Sequence, residues 1–478
     1  MPADPYPGPV LDLLAAAGDR PVFEHGDRAV TGAQLLSLVR RCAAGLRAAG
    51  LGPGDGLALR LGVTPEAFAA ITASYAVGAR VVGVRPGLPA DQIHHLLSQD
   101  ITAVVTDASP PPPTPALSTL PLGELLDIPD DGSLVLSGRP DDVARLVHTS
   151  GSTGRPKACA QTYAAMNAAW NARPSAWPPV IRELASRLQR YLVFGTLSSQ
   201  VMMEYGILTL AAGGTMVAAD PPSLPDAIAK HRATASVITV PRLYKLVAAQ
   251  RTTPSDLSTL RALMVSGSPI PASRLREAQE VLGPVVFHGY GQTETGMISM
   301  ATPYDPPPSV GIPPDAVDIE IRNVSGEDGE LYVRTPSQAI GYWGDPEETA
   351  EVFVDGWIRT RDLGHFDTDG RLHLTGRTRE VVIVNAELHY MGPIERTLAT
   401  SPDVAEAYVT AAPDEEQGEA PHAFIVPAPG RTPDLGALRD LVQDRLGPAC
   451  VPVTITLIDE VPTAPSGKPD KRLLKPPS

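Results

Sequence analysis

The sequence predicts an α/β fold in two parts: a large N-terminal domain of doubly wound sheets with a small β-rich subdomain, then a small α+β C-terminal domain. Three observations carry this. Helix-spaced apolar residues alternate with short apolar runs from 30 to about 105, and the alternation resumes from 144 to 287, the pattern of a mainly parallel sheet with crossover helices. After Pro314 the texture changes to short strand-like runs separated by Gly-Glu-Asp-Gly and Thr-Asp-Gly turns. Beyond Arg379 a third pattern begins, in which strands surround two amphipathic helices.

Taken in order, 31–49 reads as a helix that Thr31 can cap. The runs 56–61 and 80–84 read as strands around a helix at 65–78. Five prolines between Ala108 and Ala116 mark a surface connection. Further strands are expected at 191–194, 215–218, 235–240, 262–265 and 285–287. The β-rich subdomain should contain strands at 317–321, 330–333 and 372–374. The C-terminal part reads as a strand, a helix at 392–399, strands at 405–411 and 420–426, a helix at 434–446 and a strand at 453–458. The boundary falls near 376–379 and divides the chain into 1–376 and 377–478. No internal repeat is visible.

Composition removes several classes of function. A length of 478 residues exceeds one compact core. A net charge of −15 argues against a nucleic-acid-binding surface. No uninterrupted apolar run is long enough for a membrane span, and residues 1–18 lack the basic region of a secretory signal. Cys42, Cys159 and Cys450 are scattered and odd in number, which fits a reducing, cytoplasmic setting better than a disulfide framework or a zinc site. Lysine is scarce: only Lys157, Lys230, Lys245, Lys468, Lys471 and Lys475 occur, and arginine carries the remaining basic charge. A lysine kept where arginine is the default supplies a compact point charge, or is there by chance.

Four motifs carry chemistry. The first is Thr149-Ser150-Gly151-Ser152-Thr153-Gly154-Arg155-Pro156-Lys157, after a short apolar run. Its glycines allow tight turns that aim backbone N–H groups at one anion, its hydroxyls add donors, and Lys157 adds charge, which suits a polyphosphate. The spacing is not that of the common Gly-x4-Gly-Lys-Ser/Thr loop, and a flexible surface loop has a similar composition. The second is His288-Gly289-Tyr290-Gly291-Gln292-Thr293-Glu294-Thr295-Gly296. A tyrosine between glycines at a strand end can expose its ring for stacking on a base. Thr293 can donate to a phosphate oxygen, and Glu294 can hold Mg²⁺. The third runs from Gly356 through Arg361-Asp362 to Gly364, with Arg377 further on, and offers a carboxylate for two ribose hydroxyls or merely a surface Asp–Arg pair. The fourth, Pro465-Ser466-Gly467-Lys468-Pro469, places Lys468 at a turn, either as a functional group or as a solvated tail residue.

In this order and spacing, together with Gly341-Tyr342-Trp343 and Asp367-Thr368-Asp369-Gly370, the motifs resemble those of the adenylate-forming superfamily. That superfamily comprises acyl-CoA synthetases, adenylation domains of peptide synthetases and luciferases, and the resemblance covers about 23–474. It implies an AMP-forming acid ligase using ATP and Mg²⁺, with a catalytic set of Lys468, Thr293 and Glu294. The Thr149–Lys157 loop would grip the β- and γ-phosphates. Tyr290 would flank the adenine together with the Ser266-Gly267-Ser268-Pro269 turn. Thr293 would contact the α-phosphate, Glu294 the metal, and Asp362 the ribose with Arg377 assisting. Lys468 would bridge the attacking carboxylate and the α-phosphate. Arg379 falls at the hinge, so the C-terminal domain is expected to be a mobile lid.

The implied partners are a small carboxylic acid and a thiol acceptor, coenzyme A or the phosphopantetheine of an acyl carrier protein. Two departures matter. The family's Thr-Gly-Asp reads Thr360-Arg361-Asp362, and its glycine- and proline-bearing segment after the hinge reads Asn385-Ala386-Glu387-Leu388-His389-Tyr390-Met391. The second departure bears on the acceptor and keeps open another nucleophile or an unusual acid, as in amide ligases or nitrite-activating relatives. Arg361 raises the alternative of a non-catalytic nucleotide-binding homologue. The stretch Leu197-Ser198-Ser199-Gln200-Val201 lacks an acid for a substrate ammonium, with Glu204 several residues on, which disfavours an ordinary α-amino acid. A proline- and arginine-rich, lysine-poor composition is associated with GC-rich bacterial genomes and specialised metabolism.

Overall fold

The computed structural model describes residues 5–85, 88, 90–108, 117–149, 157–218, 223–325, 328–385, 387–414, 417–464 and 468–476. The proline-rich stretch, most of the first motif and the Pro465-Ser466-Gly467 turn therefore lie outside the described residues.

Two large sheets form the N-terminal part. One has eight strands in the order Gly296–Ala301, Val286–Gln292, Ala262–Ser266, Ala235–Thr239, Arg190–Val193, Thr215–Ala218, Pro21–His25 and Arg28–Thr31. Its inner six strands are parallel and both edge strands are antiparallel. The other has seven strands in the order Gly341–Tyr342, Lys157–Thr162, Val143–Thr149, Arg80–Gly83, Gly56–Arg60, Ala103–Thr106 and Ser118–Pro121. Helices are packed between the sheets. The helix Pro65–Ala76 is buried on nearly every side, and its many alanines and glycine-sized contacts permit that close packing. Its buried Thr72 and Ser74 hydroxyls are satisfied internally, Thr72 donating to the Phe68 carbonyl and Ser74 to the Ala70 carbonyl. One continuous core joins Leu57 and Phe68 to Phe23, Tyr191 and Phe287 across both sheets.

Sequence periodicity places most of these elements correctly. Thr31 caps the helix Gly32–Ala48 through a reciprocal pair of bonds with Gln34. Differences arise where tertiary pairing extends a strand. The run expected at 285–287 continues to Gln292, because it pairs with Gly296–Ala301 as an antiparallel ribbon. Asp362 lies inside the ten-residue strand Trp357–Phe366, which belongs to a five-stranded sheet with Asp318–Ser325, Asp328–Arg334, Phe353–Val354 and Leu372–Arg377. In the C-terminal part, Val381–Val384 and Glu387–Tyr390 form a hairpin at the edge of a second five-stranded sheet. Helices Met391–Leu398 and Leu435–Leu446 contribute Ile394, Leu398, Leu438 and Val442 to its core with Val409 and Ile425.

A polar contact ties this C-terminal sheet to the rest. Arg274, on the helix Ala272–Leu282, donates to Glu277 and to Glu406 on the strand Val404–Asp414, at 2.8 and 3.0 Å. Its guanidinium lies 4.5 Å over the Tyr244 ring, and the Tyr408 hydroxyl donates to Glu406 at 2.5 Å.

Between the large sheets, Arg145 is buried and donates to Gln161 at 2.5 Å and to Glu204 at 2.6 Å. Glu204 is thus occupied as a counter-ion within the fold. The adjoining cavity, about 20 Å³ and lined by Tyr75, Gly83, Leu197 and Met203, holds no more than a water molecule. Removing one partner of such a pair leaves a charge without compensation. Glu204→Ala is expected to cost about 3 kcal/mol of stability, read from urea unfolding, and an unchanged midpoint would contradict this account of Arg145.

Candidate active site

The strand Val286–Gln292 ends where its chain turns back through Thr293, Glu294 and Thr295. Gly291 permits that turn, since a Cβ there would come within 2.3 Å of the Gly296 carbonyl oxygen. The strand end aims Tyr290 and Gln292 at the five-stranded sheet, and the turn aims Glu294 at Tyr342 of the seven-stranded one. Asp362, only 5% exposed, receives all of this side's donors. The Tyr290 hydroxyl donates to its Oδ2 at 2.8 Å, the Gln292 amide to the same oxygen at 2.7 Å, and Arg377 Nε to Oδ1 at 2.9 Å. Gln292 also donates to the Thr360 carbonyl. A carboxylate has about four lone-pair sites, so Asp362 keeps capacity for one further donor.

Tyr290 is not the exposed ring that its Gly-Tyr-Gly context suggests. It is 8% exposed, because strand pairing carries it into the core with Ile298 and Leu331. Burial, and then the Asp362 carboxylate, push its phenol well above the ordinary range, so it stays a hydrogen-bond donor.

Glu294 accepts from the Tyr342 hydroxyl at 2.6 Å, and its backbone carbonyl accepts from Ala339. Thr293 sits beside it at the turn, partly exposed. From the C-terminal part, the segment around Lys468 is pinned by Ala464 N–H donating to the Lys468 carbonyl at 2.8 Å and by the Thr463–Pro469 bridge. Its side chain lies along Gly267, where a Cβ would stand 3.2 Å from Lys468 Cε, and Gly267 has φ of +104°. Only glycine meets both conditions readily. Lys468 keeps a solvent-facing surface, yet the protein packed around it lowers its pKa below the usual lysine value. The Arg377 charge adds to this, while Glu294 and Asp362 oppose it. Lys468, Arg377, Asp362, Glu294 and Gly267 therefore share one cleft between the two parts of the chain.

Of the first motif, Lys157 is described, and Ser150, Gly151, Ser152, Thr153 and Gly154 are not; nothing is described of the Thr149 side chain. Lys157 pairs with Glu348 at 2.5 Å and lies 5.4 Å over the Tyr342 ring. Glu348 belongs to the helix Pro346–Val352, capped by Asp345. It also pairs with Arg361 at 2.8 Å, and Glu351, three residues on, pairs with Arg361 at 2.8 Å and Arg379 at 3.1 Å. Sequence reasoning assigned Gln292 and Tyr342 no role, though both fall within the motifs, and it did not single out Glu348 or Glu351. The i, i+3 spacing of the two glutamates behind a capping Asp was the available signal, and it reads equally well as an ordinary acidic first turn.

Among the described residues no group of three or more potential ligands gathers for a metal ion. One carboxylate, Glu294, held by Tyr342 whose ring also carries Lys157, still fits Mg²⁺, which takes one or two carboxylates and completes its shell with other oxygen ligands and water. No helix among the described residues is long and apolar enough to cross a membrane.

The two parts of the chain and the cleft between them are those of an adenylate-forming enzyme, and comparison with known proteins agrees. The chain belongs to the AMP-binding enzyme family: its profile matches residues 13–343, and that of the AMP-binding enzyme C-terminal domain matches 393–468. It is 34% identical over 466 residues to a feruloyl-CoA synthase of an Amycolatopsis species, covering 93% of each chain. Among solved structures, the amide bond synthetase McbA of Marinactinospora thermotolerans superposes with a TM-score of 0.83 at 33% identity, covering 97% of this chain and 98% of that one. The o-succinylbenzoate coenzyme A synthetase of Bacillus subtilis in complex with ATP and magnesium gives 0.80 at 25% identity, over 98% and 100%.

Tyr290→Phe removes one of the three donors from a buried carboxylate. It is expected to cost about 1–2 kcal/mol in urea unfolding, and a variant as stable as the parent would show that Asp362 does not depend on that hydroxyl.

Proposed function

We propose that this enzyme activates a carboxylic acid with ATP and Mg²⁺, forming an acyl adenylate and pyrophosphate, and then transfers the acyl group to a thiol. The observation that carries the reading is Lys468, delivered from the C-terminal part onto Gly267 in the cleft that holds Asp362 and Glu294. A carboxylate and a triphosphate repel one another, so adenylation needs positive charge aimed at both. Lys468 supplies it between the acid and the α-phosphate. Its compact ammonium can touch both groups at once, which a planar guanidinium cannot do as readily.

The other roles are those the family resemblance implies, and the geometry of Asp362, Glu294 and Gly267 supports them. Asp362 accepts from the ribose with the capacity that Tyr290, Gln292 and Arg377 leave it. Thr293 donates to the α-phosphate, and the Gly267 turn flanks the adenine with the margin of the Tyr290 ring. Lys157 and the Thr149–Gly154 loop hold the β- and γ-phosphates. Glu294, oriented by Tyr342, holds Mg²⁺, which when bound offsets charge on the phosphates. The acid's oxygen attacks the α-phosphorus as the bond to pyrophosphate breaks. In the second step a thiolate attacks the acyl carbon and AMP leaves, with the thiol proton lost to solvent or base. Residues 1–376 bind nucleotide and acid, and 377–478 form a lid that turns about Arg379 between the steps.

The acceptor in this reading is coenzyme A or a carrier-protein phosphopantetheine. A second reading, an amine acceptor, is favoured by the likeness to an amide bond synthetase and by the 381–390 hairpin, with Asn385 at φ of +52° in its turn. The occupied Glu204 supports an aryl or alkyl acid over an α-amino acid. The setting is taken to be the cytoplasm.

Pyrophosphate exchange across a panel of aryl and alkyl acids is expected to identify at least one substrate. Exchange followed by thioester with coenzyme A supports the first reading, exchange with only amide formation supports the second, and no exchange with any acid overturns both. Lys468→Ala is expected to lower exchange about 10²–10³-fold while ATP affinity changes little. Normal exchange by that variant would remove Lys468 from the mechanism. Because the charged lysine is the active form, adenylation should fall with rising pH at a pKa below the usual lysine value of about 10.4. Arg377→Gln removes a repelling cation and should move this alkaline limb to higher pH, whereas Glu294→Gln should move it lower. A limb that ignores both substitutions would not belong to Lys468.

A further inference from the structure

Arg361 stands where the family carries glycine, and its backbone still has the glycine conformation, with φ of +61°. A non-glycine residue there bears a conformational cost, and such costs collect where a side chain has a task. The side chain does not turn toward the ribose-binding carboxylate beside it. It extends to Glu348 at 2.8 Å and Glu351 at 2.8 Å, meeting the same Glu348 oxygen that Lys157 holds at 2.5 Å.

Glu348 is the difficulty that this arrangement resolves. It is only partly exposed, and Lys157 and Arg361 together overcome the effect of burial and hold its pKa below the ordinary glutamate range. It therefore stays anionic next to the lysine of a phosphate loop. When Lys157 turns to a polyphosphate, Glu348 loses that partner and faces a highly charged anion. Its remaining cations are Arg361 and, at 3.9 Å, Arg379.

We propose that Arg361 is a positioning residue for the β- and γ-phosphates: it neutralises Glu348 so that Lys157 can leave it for the ligand. Arg361 acts through Glu348 and makes no phosphate contact of its own. The inference rests on the adenylating function proposed above, and it makes the unusual Thr-Arg-Asp sequence part of nucleotide binding and removes it as a sign of lost activity.

The test is calorimetric binding of a non-hydrolysable ATP analogue with Mg²⁺, and of AMP, to the full-length protein. Arg361→Gly suits φ of +61° and should fold at least as well as the parent. It is expected to weaken the ATP analogue about tenfold and AMP by less than about twofold, since AMP lacks the outer phosphates. Adding Glu348→Gln should restore the affinity of Arg361→Gly for the analogue, because no carboxylate then competes for Lys157. Equal losses for the analogue and AMP would place the effect on the ribose strand and overturn the proposal. So would an Arg361→Gly defect that Glu348→Gln fails to repair, which is the behaviour of a direct phosphate ligand, or an unaltered affinity in Arg361→Gly. Failure of the parent protein to bind either nucleotide would instead overturn the adenylating function itself.

Discussion

One buried carboxylate organises this molecule's working region. Asp362 gathers Tyr290 and Gln292 from the edge of the eight-stranded sheet and Arg377 from the last residue before the connector. An ionised carboxylate at this depth is tolerable only with several donors, and those donors come from separate elements. The sheet edge, the β-rich subdomain and the start of the C-terminal part are thereby held in mutual register. Glu294 lies two residues beyond Gln292, in the turn of the same ribbon, so its placement depends on the same anchor.

Charge in the cleft is arranged as chains of shared ions. Lys157, Glu348, Arg361, Glu351 and Arg379 form one chain from the phosphate loop to the connector. Lys468 lies among Arg377, Glu294 and Asp362 in a second group. The first holds three cations against two anions and the second two against two, a local balance unlike the net charge of −15 of the whole sequence.

Much of this was legible in the sequence. Alternating periodicity located the sheets, and the four motifs together resembled the family to which the chain belongs. The environment of the motif residues was not legible. Gly-Tyr-Gly has the local chemistry of an open turn, and only pairing with Gly296–Ala301 makes Tyr290 a buried donor. Arg361 read as a reason to consider a non-catalytic nucleotide-binding homologue, because its distant partners Glu348 and Glu351 sit on a helix whose sequence explains itself without them. Glu204 was noted only as lying several residues beyond the acid-free 197–201 stretch, and its partner Arg145 lies 59 residues away along the chain. In each case local propensity was sound, and a contact of long sequence separation decided the outcome.

The Arg274–Glu406 contact gives the two-part architecture an energy scale. This pair, with Tyr244 under the guanidinium and Tyr408 on the carboxylate, spans the N-terminal part and the C-terminal sheet. Any rotation of that sheet must part them. Each difference of about 1.4 kcal/mol in what they lose, relative to what water returns, changes the ratio of the two orientations tenfold. If the C-terminal part turns as proposed above, a single arginine contact thus sets a thermodynamic weight on the arrangement seen here, tunable by substitution at Arg274.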